Sequence, residues 1–255
     1  MSGPLVNTRV IDLSRVLAAP WAAQNLADLG AEVIKVERPG KGDDSRAFGP
    51  PWLKDAQHRD TSESAYFLAA NRGKKSITVD IAQPAGARIV RELATGADVL
   101  IENYKAGDLA RYGLDYNELA KLNPRLIYCS VTGFGQTGPY RERPGYDFMV
   151  QGLGGIMSVT GERDDAPGGG PQRIGVPLVD IITGMYASIA ICAALVYRAQ
   201  GGRGQHIDMA LLDCGVAVLA NQGANYLVSG TAPERIGNNH PNIVPYQTCT
   251  RRICI

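Results

Sequence analysis

The chain is 255 residues long, 45% apolar and 20% charged, with a formal net charge of +1. This composition supports the core of one large α/β domain, or of one domain with part of another. It excludes a generally basic nucleic-acid-binding face while leaving room for a local cationic pocket.

Residues 10–13 (VIDL) form a short apolar strand, residues 21–29 carry Ala22, Leu26 and Leu29 on one helical stripe, and Gly30 follows as a C-cap. Residues 33–36 (VIKV) are a second buried strand, stopped at Glu37-Arg38-Pro39-Gly40. This β-α-β unit builds parallel sheets and places ligands at strand C-termini, where Arg38 invites an anionic, phosphate-bearing ligand. Strands are predicted at 76–79, 98–101 and 126–131, with a helix over 84–93 and short helical pieces at 109–112 and 116–122. Five buried strands separated by helical segments predict an α/β fold with a doubly wound parallel sheet. Residues 133–144 and 164–171 read as glycine- and proline-rich loops. A long apolar helix is predicted over 177–198, closed by Gly201-Gly202, then a last strand at 205–208 and a second apolar helix over 209–228. Residues 241–247 read as the lead-in to another strand or domain. The uncapped end at 249–255 reads either as a frayed terminus or, more sharply, as a chain truncated or frameshifted just after Thr248.

Cys129, Cys192, Cys214, Cys249 and Cys254 show no Cys-x-x-Cys pairing, and the expectation is reduced thiols in a cytoplasmic protein. The chain opens without a charged-then-apolar leader. Its most apolar stretch, 181–196, is interrupted by Thr183, Gly184 and Ser188 and is short for a membrane span, so a soluble protein is expected. His58, His206 and His240 stand apart, and no His/Cys/carboxylate spacing suggests a metal site. The run Ala70-Asn71-Arg72-Gly73-Lys74-Lys75 looks superficially like a P-loop but lacks the first glycine, four residues before the Gly-Lys pair.

Five segments read together, VLAAPWAAQNLADLGAEVIKVERPGKGDDSR, AANRGKKSITVD, IENYKAGDLARYGL, PRLIYCSVTGFGQTGP and VPLVDIITGMYA, resemble the class III (CaiB/BaiF) CoA-transferases. The match runs from Pro4 to Thr248, and DDSRAFGPPW and HPNIVPYQT are most similar to the succinyl-CoA:glutarate branch. The resemblance implies a Rossmann-like large domain over 1–208 and, over 209–255, a helix and linker leading to a small domain that is largely missing here. For full-length members it implies a homodimer of interlocked chains, a state that the shorter length argues against for this chain. The implied partners are an acyl-CoA and a small carboxylic acid, without nucleic acid or membrane; coenzyme A enters as substrate, and neither a tightly bound cofactor nor a metal is required.

The implied activity moves CoA from a donor such as succinyl-CoA to a dicarboxylic or other organic acid, through an aspartyl-CoA thioester. Asp180 matches the catalytic aspartate. Pro177 favours the first turn of the long helix, so the positive end of the helix dipole is expected to keep Asp180 ionised, near or below about 3.9. On this segment alone an Asp so placed is ordinary dipole compensation; the surrounding motif makes it the nucleophile. By the same resemblance the CoA-contacting residues are Val16, Leu17, Arg38, Ala70, Asn71, Arg72, Gly73, Lys74, Asn103, Tyr104, Lys105, Arg111, Gly133, Phe134, Gly135 and Gln136. Leu17 stands where some formyl-CoA transferases carry glutamine. Tyr146 stands where the related α-methylacyl-CoA racemases carry a histidine base, and tyrosine, with a reference pKa near 10, is a poor base around neutrality. Racemization is thus the weaker enzymatic alternative. An inactive fragment of a transferase is the non-enzymatic one.

Overall fold

A computed structural model describes residues 3–246 of the chain. In chain order the elements are β1 (Arg9–Asp12), α1 (Ala18–Asp28), β2 (Glu32–Glu37), β3 (Trp52–Lys54), β4 (Asp60–Ser64), α2 (Ala65–Asn71), β5 (Lys75–Thr78), α3 (Pro84–Thr95) and β6 (Val99–Glu102). They continue with α4 (Tyr116–Leu122), β7 (Ile127–Thr132), α5 (Asp147–Leu153), α6 (Ile156–Val159), α7 (Leu178–Gly201), β8 (His206–Ala210), α8 (Leu211–Ala217) and α9 (Ala220–Ser229).

Six strands form one parallel sheet in the order β5-β2-β1-β6-β7-β8. Apolar side chains on alternate positions feed two cores. Val10, Val33, Val99, Ile101, Ile127 and Cys129 pack toward α1 and α7, while Ile11, Leu100 and Tyr128 meet Val90, Ala94 and Leu119 of α3 and α4. From β1 the chain winds outward to β2 and β5, then crosses back to β6 on the other side of β1. The strand order reverses there, so the crevice above the C-termini of β1 and β6 is where such a sheet takes its ligand.

Helix α7 is 24 residues long and contains an 18-residue stretch of mean hydropathy 2.0, long and apolar enough to cross a membrane by length and composition. Here it packs on α1 and the sheet, burying Val179, Thr183, Gly184, Ala187, Ser188, Ile191 and Ala194. Gly184 permits the close approach, because a Cβ there would lie 2.6 Å from the Ala18 carbonyl oxygen.

The sheet departs from the sequence reading at its edges. Strand β5 is mostly exposed and not a buried strand, since as an edge it has a neighbour on one side only. The helix expected over 209–228 is broken: Met209 and Ala210 extend β8 by pairing with Val131 and Thr132, and Ala220, the first residue of α9, takes a left-handed φ of 45°. Ladder pairing overrides helical propensity at those two residues. Leu211 then joins the core under α7. The antiparallel pair β3–β4 and helices α5 and α6 had no clear periodic signal. The expected break after Thr248, together with Cys249 and Cys254, lies outside the described residues.

Candidate active site

The turn after β1 is tied down from several directions. Asn103, just past β6, clasps Arg15 at both backbone polar atoms: its Oδ1 accepts the Arg15 N–H at 2.9 Å, and its Nδ2 donates to the Arg15 carbonyl at 2.7 Å. Asp43 Oδ1 accepts the Val16 N–H at 3.1 Å. Val16 is held at φ 70°, a strained conformation for a β-branched residue that persists only where its surroundings over-determine it.

Beneath the turn lies a buried group of two carboxylates and two ammoniums. Lys35 Nζ is 2.8 Å from Asp43 Oδ2 and donates to the Ser14 carbonyl at 2.8 Å. Lys74 Nζ donates to Asp12 Oδ2 at 2.8 Å, and to Pro20 O and Asn71 Oδ1 at 2.9 Å each. Burial alone would raise Asp12, but Lys35 and Lys74 outweigh it and hold the carboxyl below its ordinary range. Burial works against Lys35 as well, and Asp12 and Asp43 overcome it, leaving this ammonium raised. For Lys74 burial wins, helped by Lys35 and opposed by Asp12, and pulls it down to about 8.

Two cavities open above this base. The first, of about 280 Å³, has an apolar wall of Leu13, Val36, Val79 and Ile81, with Arg38 and Arg111 at its rim. The second, of about 340 Å³, is lined by Val16, Leu17, Asn103, Lys105, Gly133, Arg141, Arg143, Tyr146 and Asp180. Arg15, Tyr104 and Asp108 line both, so the two adjoin. A cavity with one apolar wall and three guanidiniums (Arg15, Arg38 and Arg111), adjoining a second that holds a carboxyl, suits a long ligand with a base and phosphates at one end.

Asp180 is the third residue of α7, whose N-cap is Pro177. Its titration contradicts the expectation from the helix dipole: burial, with the Asp147 carboxylate adding to it, pushes Asp180 up to about 7. Asp147 is the first residue of α5. Its Oδ1 accepts the N–H groups of Val179 at 2.8 Å and of Asp180 at 3.3 Å, so Asp147 answers the start of the helix. The Asp180 side chain is left facing a half-enclosed cavity. Tyr66 of α2 stands close by, pushed up to about 12 by burial and by the charges of Asp180, Asp147 and Asp43.

Not every expected contact converges here. Val16, Leu17, Asn103, Tyr104, Lys105 and Gly133 line the cavity of Asp180, and Arg38, Arg111 and Tyr104 line the first cavity. Phe134 stacks edge-on with Tyr140, and Gly135, at φ 83°, sits against Asp208. Gln136 lines a third cavity of about 290 Å³, shared with Lys105, Glu102 and His206. Ala70, Asn71, Arg72, Gly73 and Lys74 line none of the three. Ala70 is fully buried, Asn71 bonds within α2 and to Lys74, Arg72 pairs with Asp28, and Gly73 makes a left-handed turn at φ 74°. Lys74 is spent on Asp12 in the core, so in this chain it is a structural cation.

Sequence reasoning passed over Arg15, Asp44, Arg141, Arg143, Tyr66, Asp147 and Gln151. Two pairs among these had a visible signal. Arg141-Glu-Arg143 sits in a loop rich in glycine and proline, and Asp147 and Gln151 stand four apart at the start of a helical run. Among the described residues, no group of three or more His, Cys, Asp or Glu is arranged to hold a metal ion.

The model of CoA-transferase family III matches residues 5–251. A succinate–glutarate CoA-transferase of Agrobacterium fabrum is 58% identical over 244 residues, which are 96% of this chain and 60% of that protein. A succinyl-CoA:glutarate CoA-transferase of Mus musculus is 50% identical over 96% of this chain and 53% of its own length. The crystal structure of a CaiB/BaiF family protein from Brucella suis shares 57% identity at a TM-score of 0.90, covering 97% of this chain and 64% of that one. The chain thus spans between about half and two thirds of the length of these relatives. A family match from before β1 to beyond α9, with identity sustained at this level, leaves one conclusion: the chain belongs to CoA-transferase family III.

Proposed function

We propose that the protein containing this chain is an acyl-CoA:carboxylate CoA-transferase, moving CoA from a donor such as succinyl-CoA to a dicarboxylic acid. The observation that carries the reading is Asp180, a carboxyl without a helix to cap, at the head of α7 in a cavity that adjoins a second one with an apolar wall and three arginines. Residues 1–208 would form the CoA-binding domain, with the base and phosphates of CoA near Arg38 and Arg111 and the pantetheine running past Val16 and Gly133.

The reaction needs no net proton transfer. An Asp180 oxygen attacks the thioester carbonyl, the C–S bond breaks, and a mixed anhydride and CoA thiolate result. The thiolate attacks the Asp180 carbonyl carbon and expels the donor acid, leaving aspartyl-CoA. The acceptor carboxylate then attacks that thioester, and the released thiolate takes the acyl group and restores Asp180. A carboxyl with pKa about 7 is ionised above neutrality and is a better nucleophile than one near 4. Arg141, Arg143 and Lys105 give the cavity cations for a second carboxylate on the acid, which favours dicarboxylates. The same reading places the protein in the cytoplasm, where the free thiols of Cys129, Cys192 and Cys214 remain reduced. Tyr146 lines the cavity, and racemization has no imidazole beside Asp180 to serve it.

The test is incubation of the protein with succinyl-CoA and a panel of dicarboxylates. Transfer that rises with pH through about 7 and vanishes in Asp180→Ala supports the assignment, and equal rates in the variant refute it.

A further inference from the structure

A helix begins with backbone N–H groups that have no partner inside the helix, and the residue before it usually supplies the acceptor. The residue before α7 is Pro177, whose side chain makes no such bond. The acceptor comes instead from another helix. Asp147 Oδ1 takes the N–H groups of Val179 and Asp180 at 2.8 and 3.3 Å, although it lies 32 and 33 residues away in sequence.

Asp147 is itself held. Gln151, one turn further along α5 and fully buried, donates from Nε2 to Asp147 Oδ2 at 2.6 Å. Its Oε1 accepts the Ile174 N–H at 2.8 Å, so the amide can face only one way and the segment leading into α7 is fixed by the same side chain. Among the described residues, no hydrogen bond reaches an oxygen of the Asp180 side chain. The clamp therefore takes over the task that an aspartate in a first turn commonly performs, and the Asp180 carboxyl stays available to the cavity.

We propose that Asp147 and Gln151 are positioning residues for Asp180: they anchor the start of α7 and present the nucleophile while keeping its own side chain unbonded. The proposal rests on Asp180 being the nucleophile of the transfer proposed above. The Asp147 charge also has a chemical consequence, because it reinforces burial in raising Asp180. Other groups facing Asp180 are Tyr146 at the entry to α5 and Tyr66 on α2. Arg15, Lys105, Arg141, Arg143, Asp44 and Asp108 face it across the cavity.

A swap of the pair tests this. In Asp147→Asn, the Oδ1 still accepts from Val179 and Asp180, but its new amide NH₂ confronts the NH₂ of Gln151. Adding Gln151→Glu restores every bond: the amide introduced at position 147 donates to the carboxylate introduced at position 151, whose other oxygen accepts from Ile174. The negative charge then stands one step further from Asp180. Two measurements are made on the whole chain. One is the rate at which succinyl-CoA loads Asp180 with hydroxylamine-sensitive CoA; the other is the titration of the Asp180 carboxyl carbon by NMR. The single variant should lose on the order of 10-fold or more in loading rate, since a small misplacement of a reacting group is costly. The double variant should regain most of that rate, with Asp180 titrating below its value in the parent chain.

Wild-type loading in the single variant would overturn the proposal. So would a double variant that recovers its melting temperature without recovering the loading rate or lowering the titration. If the parent chain itself loads no CoA, the inactive-fragment alternative gains, and the NMR titration still decides whether the clamp governs Asp180.

Discussion

Lys74 offers the sharpest separation of a structural role from a ligand-binding one, and Lys74→Met is the substitution that makes it. Methionine fills the space of the lysine stem, so the effect comes almost wholly from the missing ammonium. That group is 2% exposed and makes three bonds of 2.8–2.9 Å, to Asp12, Pro20 and Asn71. Without it, the nearest cation to Asp12 Oδ2 is Lys35 Nζ at 3.7 Å. Removing one partner of a buried ion pair costs about 3–5 kcal/mol. For a domain of this size each kcal/mol is worth roughly 2–4 °C, so the melting midpoint should fall by about 10 °C. The pH dependence supplies an internal control. Asp12 is held below its ordinary range in the folded state, so the stability it contributes is present above about 3.8 and lost as pH falls further. The variant weakens that contribution, and its deficit should shrink as pH approaches 4 and Asp12 protonates. Urea unfolding at pH 7 and pH 4.5, with a calorimetric CoA titration well below the midpoint, measures all of this. CoA affinity lost at an unchanged unfolding midpoint would refute the reasoning, because Lys74 would then reach the ligand and not the core.

Two further substitutions address Asp180 and the helix that carries it. The folded-state pKa of Asp180, about 7, lies above the unfolded value of 3.8, so its ionisation destabilises the fold progressively as pH rises between them. Asp180→Asn should therefore be more stable than the parent at pH 8, by about 2 kcal/mol after allowing for solvent screening, with the gain vanishing near pH 4; no gain in urea midpoint at pH 8 would contradict the raised value. Gly184→Ala puts a Cβ 2.6 Å from the Ala18 carbonyl oxygen and 3.0 Å from Trp21 Cβ, between α1 and α7. Overpacking of about 1–3 kcal/mol should exceed the helix-propensity gain of about 1 kcal/mol, lowering the urea midpoint where an exposed helical Gly→Ala would raise it.

The opening β-α-β unit was legible because everything that specifies it is local. Val10, Ile11, Val33 and Val36 are buried and β-branched, Leu26 lies on the core side of α1, and Gly30 takes the left-handed φ of 99° that ends the helix. Arg38, Val16, Asn103 and Asp180 were likewise expected near the ligand, and each lines one of the two adjoining cavities. Lys74 misled for a physical reason: a lysine after a glycine looks the same in sequence whether its ammonium reaches a phosphate or, as here, a buried carboxylate 62 residues away. The second apolar helix misled because Met209 and Ala210 are claimed by pairing with β7, a demand that periodicity does not register.

By itself the sequence determined the parallel α/β architecture, the strand ends that carry the cations, and the presence of an aspartate at the head of the long helix, since each follows from hydrophobic period, turn residues or a contiguous motif. Only the tertiary structure decided how that aspartate is charged. Its environment is set by Asp147 and Gln151 of α5 and Tyr66 of α2, brought to the head of α7 from distant parts of the chain. Burial and a neighbouring carboxylate are properties of three-dimensional proximity, and together they outweigh the helix dipole that local sequence could foresee.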